Sequence, residues 1–225
     1  GFITVFFNFA TDFRPMKKTV VLAILFILPI VAYLFFASGV NNFGKLPVLN
    51  EEVGDVSAID ASVSLDGKIT ILGFLGSEIE NKKGNAFNLN EKIYKRFFEF
   101  NDLQFVMLQP EGTQAKVEEL VSDLGNITDM KKWNFVFAEE EAIRSFFATL
   151  DTDLSLDENA ATPYVFIIDK DGSLRGRAND EDVGTKYGFN TASVADLNNK
   201  MVDDVKIILA EYRLALKKNN AERAK

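Results

Sequence analysis

The chain has 225 residues, 47% of them hydrophobic, and carries a net charge of -8 with a pI near 4.8. It contains no cysteine and no histidine, which excludes disulfide exchange, Ser–His or Cys–His nucleophiles, and zinc or copper sites built on thiolate or imidazole. The acidity also argues against nucleic acid, whose binding needs a concentrated basic face.

Residues 1–15 precede Met16, which reads as a translation start, so they are taken as an upstream extension without function. Thr19 to Val40 follow as 22 residues without a charge. A helix of that length spans about 33 Å, enough for the hydrocarbon core of a bilayer. Arg14, Lys17 and Lys18 lie before it, and Glu51, Glu52 and Asp55 follow with only Lys45 between. The positive-inside rule then puts the amino end in the cytoplasm and the rest outside. The expected location is a bacterial inner membrane, crossed once, with a periplasmic carboxy-terminal domain. Ala37-Ser38-Gly39 offers a cleavage site, but the apolar region of a signal peptide is shorter, about 7 to 15 residues. Residues 16–40 are therefore expected to be an uncleaved anchor, and the missing cysteine excludes a lipoprotein. Phe is used 21 times, and its concentration in this segment and the predicted core reads as membrane and core.

Residues 41–63 carry Gly, Pro, Asn and acids without a period and read as a linker. A domain is expected over 64–218. Ile69 to Leu75 is a short apolar run, as in a strand buried on both faces. Gly84-Asn85 precede a predicted helix from Ala86 to Phe100, with Phe87, Ile93, Tyr94, Phe97 and Phe98 mostly on one face. Leu103 to Leu108 is a second strand, ended by Gln109-Pro110-Glu111-Gly112, and Thr113 can cap a helix to Leu124. Trp133 to Phe137 is a third strand, and Glu139 to Leu150 a third helix with acids in its first turn. Tyr164 to Asp169 and Leu174 to Arg177 flank Lys170-Asp171-Gly172, a hairpin signal. Ser193 to Lys218 is a long helix with an apolar stripe of Leu197, Met201, Val205, Ile208, Leu209, Tyr212 and Leu216. Residues 219–225 read as a frayed tail. The order β-α-β-α-β-α-β-β-α predicts an α/β thioredoxin-like fold, a central mixed sheet with helices on both faces, preceded by one transmembrane helix.

With this order the chain resembles the Sco/SenC group, membrane-anchored thioredoxin-like proteins that help assemble the copper site of cytochrome oxidase. Peroxiredoxin and TlpA-like groups are related, and the carboxy-terminal part is similar to uncharacterised Sco-like membrane proteins of Bacteroidetes. The resemblance covers Ile69 to roughly Arg177 and the anchor. In that group a strand ending in Gly-Phe leads into a Cys-x-x-x-Cys motif. Here Leu72-Gly73-Phe74 ends the strand, and the cysteine positions fall at about Ser77 and Asn81. Gln109-Pro110-Glu111-Gly112-Thr113 resembles the group's Asp-Pro-Glu-x-Asp-Thr turn, with the first Asp replaced. The metal-binding His of the group would stand at about Ala161, ahead of the strand that ends in Asp169-Lys170-Asp171-Gly172. The resemblance thus implies a degenerate site at Ser77, Asn81 and Ala161, without copper or thiol chemistry. It also implies a cis bond at Thr162-Pro163; the plainer reading is a trans Pro at a strand start.

Ser77 lacks any histidine as base. Glu78 and Glu80 could serve as base or hard-cation ligands, against the plainer reading of a solvated loop. Asp151, Asp153, Ser155 and Asp157 resemble half a calcium loop, but Leu156 and Thr162 stand where Gly and Glu are needed. Asp169 and Asp171 fit turn chemistry, and Asp180-Glu181-Asp182 could bind a cation weakly, against the plainer reading of a solvated run. No catalytic residue, metal site or cofactor is expected. The expected partners are the membrane and a protein of a membrane complex, possession of a respiratory role being implied by the resemblance alone. The alternative is a carboxylate-based or hard-metal enzyme, or a metal-binding protein, on the same fold.

Overall fold

The computed structural model describes residues 18–37 and 44–223. The chain divides into two units, Gly1–Asn42 and Phe43–Lys225. The extension 1–15, and Arg14 and Lys17 at the start of the expected anchor, lie outside the described residues. In the first unit α1 is Lys18–Ala37, with Pro29 inside it. Leu25, Phe26, Leu28 and Tyr33 are exposed on it. Among the described residues no helix is long and apolar enough to cross a membrane.

The second unit is a mixed sheet between helices. Its strands are β1 Val48–Asn50, β2 Ile69–Phe74, β3 Leu103–Pro110, β4 Trp133–Ala138, β5 Tyr164–Ile168, β6 Leu174–Arg175 and β9 Phe189–Asn190; β7 Arg177–Asp180 and β8 Gly184–Lys186 form a separate hairpin. The main sheet runs β1-β6-β5-β2-β3-β4, with β9 beside β5. β2, β3 and β4 are parallel, and β5 is antiparallel to β2. The helices are α2 Ile79–Leu89, α3 Lys95–Phe97, α4 Gln114–Gly125, α5 Glu140–Ala148, α6 Val194–Asp196 and α7 Val202–Arg223. Parallel β-α-β-α-β followed by an antiparallel hairpin is a thioredoxin-like α/β plan.

Side chains alternate across a strand, so β2 feeds two cores. Ile69 and Ile71 join Phe105, Met107, Ile93, Leu120 and Val205 on the face of α2, α4 and α7. Leu72 and Phe74 join Val106, Leu108, Ile143, Phe146 and Phe166 on the face of α5. Every residue of β2 is buried, as a strand covered on both faces must be.

Four expectations need correction. Residues 46–63 are no free linker: Leu46 and Val56 are buried, and Val48 and Asn50 pair with β6. Strand β1 is too short for a period to show. The second helix starts at Ile79, ahead of Gly84-Asn85. Ile79, Ala86 and Leu89 are its buried residues, and open space around Gly84 means that the glycine costs only propensity there. A π turn, Asn90–Tyr94, carries this helix into α3. The long final helix likewise contains a π turn, Leu197–Met201, and continues to Arg223, past the predicted start of the tail. Finally, no cis peptide bond occurs among the described residues, so Thr162-Pro163 is trans. The extended backbone passes straight into β5: Ala161 bridges Leu75, and the Thr162 N–H donates to the Phe74 carbonyl at 3.1 Å. Pro163, opening the strand, gives up no ladder bond.

Candidate functional site

β2 ends against the loop that enters β5, so the structure brings Ser77 and Ala161 into one place. Asn159 joins them. The Ser77 N–H donates to the Asn159 carbonyl at 3.0 Å, and its hydroxyl lies 3.4 Å from Asn159 Oδ1. Gly76, between Leu75 and Ser77, has φ +73. A Cβ added there would stand 2.4 Å from the Asn159 carbonyl oxygen and 2.6 Å from the Ala161 Cβ. The two loops are therefore in direct contact. Ala161 is 2% exposed.

Three helices tie this junction down. Lys116 of α4 donates to the Ser77 carbonyl at 3.0 Å. Arg144 of α5 donates to the carbonyls of Asp157 and Glu158 at 2.8 and 3.0 Å. Lys82 of α2 faces Asp157 Oδ2 at 3.7 Å. Asp157 also folds its own loop, accepting from the N–H groups of Asn159 and Ala161. These contacts span up to 82 residues of sequence, and spacing alone does not forecast them. Asp151 and Asp157 are thus parts of a loop built on local hydrogen bonds.

Chemically the junction offers little. The nearest acceptor to the Ser77 hydroxyl is an amide oxygen, which cannot take its proton as a general base does. Asn81 is apart from this contact: it is exposed, and its amide donates to Glu78 Oε2 at 2.5 Å. Glu78 and Glu80 are exposed too. Among the described residues no three Asp or Glu side chains converge on a point where a metal could sit.

One group under this end of the sheet is out of keeping with its surroundings. Gln109, the penultimate residue of β3, is fully buried, and neither its nitrogen nor its oxygen has a hydrogen-bond partner among the described residues. By alternation it shares a face with Phe105 and Met107, and it stands opposite Phe137 in the register. A buried amide left unpaired costs about 1–3 kcal/mol. Gln109→Met keeps the volume and removes the unpaired atoms, so it should stabilise the domain by about 1–2 kcal/mol. Urea unfolding followed by the fluorescence of Trp133 checks this, and a destabilised variant would show that the amide has a partner after all.

A second concave region lies elsewhere. A cavity of about 430 Å³ is bounded by the β7–β8 hairpin, β9 and the π turn before α7, with Tyr164, Tyr187, Lys186 and Lys200 on its wall. Four of the charges on its wall are paired with one another or with Asp180 behind it. Lys200 holds Asp180 at 2.6 Å and Asp182 at 2.6 Å, and Lys186 holds Asp196 at 2.9 Å. Burial pushes the Asp180 carboxyl up, but the hydrogen bonds from Lys200 and the Asp182 N–H and the charges of Lys200 and Lys186 together outweigh it, so the group titrates below the usual range. Asp180 is buried, which corrects the reading of Asp180-Glu181-Asp182 as a solvated run. Burial holds the Asp204 carboxyl above the usual range in spite of Arg177, whose Nε and Nη2 donate to it at 2.7 and 2.8 Å. Spacing marks Asp180-Glu181-Asp182 but not its partners, because these come from β7, β8, the π turn and the final helix.

No family model matches the chain, and no curated protein matches it. Solved structures do. A Bacteroides thetaiotaomicron protein provisionally described as a disulfide isomerase superposes with a TM-score of 0.48 at 13% identity, over 74% of this chain and 94% of that one. The soluble domain of Sco1 from Bacillus subtilis gives 0.44 at 15% identity, over 72% and 94%. The thioredoxin domain of a thiol-disulfide oxidoreductase from Bacteroides vulgatus gives 0.41 at 12% identity, over 74% and 96%. At such identities and scores these are likenesses of chain path, and they bring no chemistry to this chain.

Proposed function

We propose that this protein is a membrane-anchored thioredoxin-like domain without thiol chemistry, acting as a binding or assembly accessory of a membrane complex. One observation carries the reading: the place where a redox relative would keep its first thiol is here a closed contact of Gly76, Ser77, Asn159 and Ala161, in a chain with no cysteine. A scaffold maintained around such a junction works by contact with other molecules. The anchor rests on the charge-free run 19–40 with basic residues before it, and the orientation on the positive-inside rule. That orientation puts the domain outside the cytoplasm, and the resemblance to bacterial membrane proteins makes the membrane a bacterial inner one and the compartment the periplasm. The resemblance to the Sco/SenC group points to a respiratory complex.

The test is purification of the full chain from its native membranes in mild detergent, followed by identification of what accompanies it. Subunits of an inner-membrane complex are expected. Recovery of the protein alone would sink the proposal.

A further inference from the structure

The sheet ends at β4, and among the described residues no strand pairs with its outer edge. The inner edge is used by β3: the Phe105 N–H donates to the Lys132 carbonyl at 2.7 Å, and the Glu111 N–H to the Ala138 carbonyl at 3.0 Å. With the parallel register Phe105↔Trp133 through Pro110↔Ala138, the backbone groups of Asn134, Val136 and Ala138 face β3. Those of Trp133, Phe135 and Phe137 therefore face outward. The Trp133 N–H turns back to Met130 at 3.0 Å. The N–H and C=O of Phe135 and Phe137 have no partner among the described residues.

Natural edges are usually blunted by a charge, a proline, a bulge or a covering element. Trp133–Ala138 has no charge and no proline over its six residues, and its ladder with β3 is regular. Charge is found just outside the strand, and it is sorted. Lys131 and Lys132 precede it, and Glu139, Glu140 and Glu141 follow it. Lys131 is 84% exposed, and all three glutamates are exposed. A segment that is basic, then uncharged, then acidic is its own complement when it runs antiparallel to a copy of itself. A parallel copy would set Lys against Lys and Glu against Glu.

We propose that β4 is a self-pairing edge, and that its occupant is β4 of a second copy of this chain, antiparallel about a two-fold axis through Phe135. Phe135 then exchanges both backbone hydrogen bonds with Phe135 of the partner subunit. Trp133 faces Phe137 of the partner subunit, and Lys131 faces Glu139 of the partner subunit. Isologous contacts of this kind repeat each pair twice. Lys131 now holds Asp129 at 2.6 Å on the exposed surface, a pair of small energetic weight that does not compete with docking. The two sheets join into one continuous sheet across the axis. This pairing stands independently of the membrane-complex reading.

The absence of native cysteine makes the test clean. Opposed residues in a hydrogen-bonded antiparallel pair have Cα atoms about 5.5 Å apart, within disulfide range. The full chain carrying Phe135→Cys, oxidised in membranes, should become mostly disulfide-linked dimer. Val183→Cys, 60% exposed on the β7–β8 hairpin, should stay uncrosslinked. Because Phe135 is half-buried, a second measurement uses exposed positions only. Lys131→Glu should weaken the dimer of the detergent-solubilised chain about tenfold, measured by light scattering over a dilution series, and adding Glu139→Lys should restore it. A monomer at all concentrations overturns the proposal. So does a dimer that resists Lys131→Glu and does not crosslink at position 135, since it forms through another surface or a different partner owns the edge.

Discussion

Replacing Arg175 by methionine should cost the domain about 3–5 kcal/mol. Arg175 is 4% exposed and joins three separate parts of the chain. Its Nε donates to the Leu46 carbonyl at 2.7 Å, its Nη1 to Asp169 at 2.8 Å, and its Nη2 to Glu211 of α7 at 2.6 Å. Burial works against the charge, and the hydrogen bonds to Asp169 and Glu211 together with the fields of both carboxylates outweigh it, so the guanidinium is held more firmly charged than usual. Removing it leaves a carboxylate that is 3% exposed without its counter-charge, which is the costly half of breaking a buried pair. Leu46 would also lose the bond that fastens the segment ahead of β1. The measurement is urea unfolding of the full chain, read from Trp133, the only tryptophan and a buried one. A loss below about 1 kcal/mol would mean that the triad is electrostatically idle. Adding Asp169→Asn and Glu211→Gln to the methionine variant should recover part of the loss, because the stranded charges go with the partner.

That triad marks the limit of what the sequence could tell. The runs Ile69 to Leu75, Leu103 to Leu108, Trp133 to Phe137 and Tyr164 to Asp169 were legible as strands because apolar, β-rich stretches between turn residues leave few alternatives. Lys170-Asp171-Gly172 was legible as a turn, and Asp169 does accept from the N–H groups of Asp171 and Ser173. Its second oxygen, however, is spent on Arg175, and nothing in the spacing marks Arg175 as buried. Strands β1, β8 and β9 have two or three residues each, too few for a period of two to declare itself. The junction of Ser77 with Ala161 followed from segment order and resemblance. Its fastening by Lys82, Lys116 and Arg144 did not, since exposed-looking basic residues on helices read as solvated. The orphan amide of Gln109 was equally hidden, because a glutamine at a strand end reads as a polar turn.

Gly76→Ala should cost about 3 kcal/mol or more, and should do so by opening the junction. Two penalties add. A non-glycine residue at φ +73 sits in the left-handed region, at about 1 kcal/mol for alanine. The new Cβ must also displace backbone, because the nearest atoms are the Asn159 carbonyl oxygen at 2.4 Å, the Ala161 Cβ at 2.6 Å, which moves only with its backbone, and the Ala161 amide nitrogen at 3.0 Å. Relief requires moving the loop away from Ser77, which breaks the Ser77 N–H to Asn159 bond and strains the Leu75–Ala161 bridge behind it. Strain and lost hydrogen bonds together set the size of the effect. Gly84→Ala is the matched control. It lies within α2, has nothing within 4 Å of the added Cβ and needs no special φ, so it should stabilise by about 0.5–1 kcal/mol through helix propensity. Opposite signs for the two variants in the same unfolding assay, with faster amide exchange at Ser77 and Thr162 in Gly76→Ala alone, would locate the damage at the junction. Equal and small effects would mean that the two loops do not hold each other.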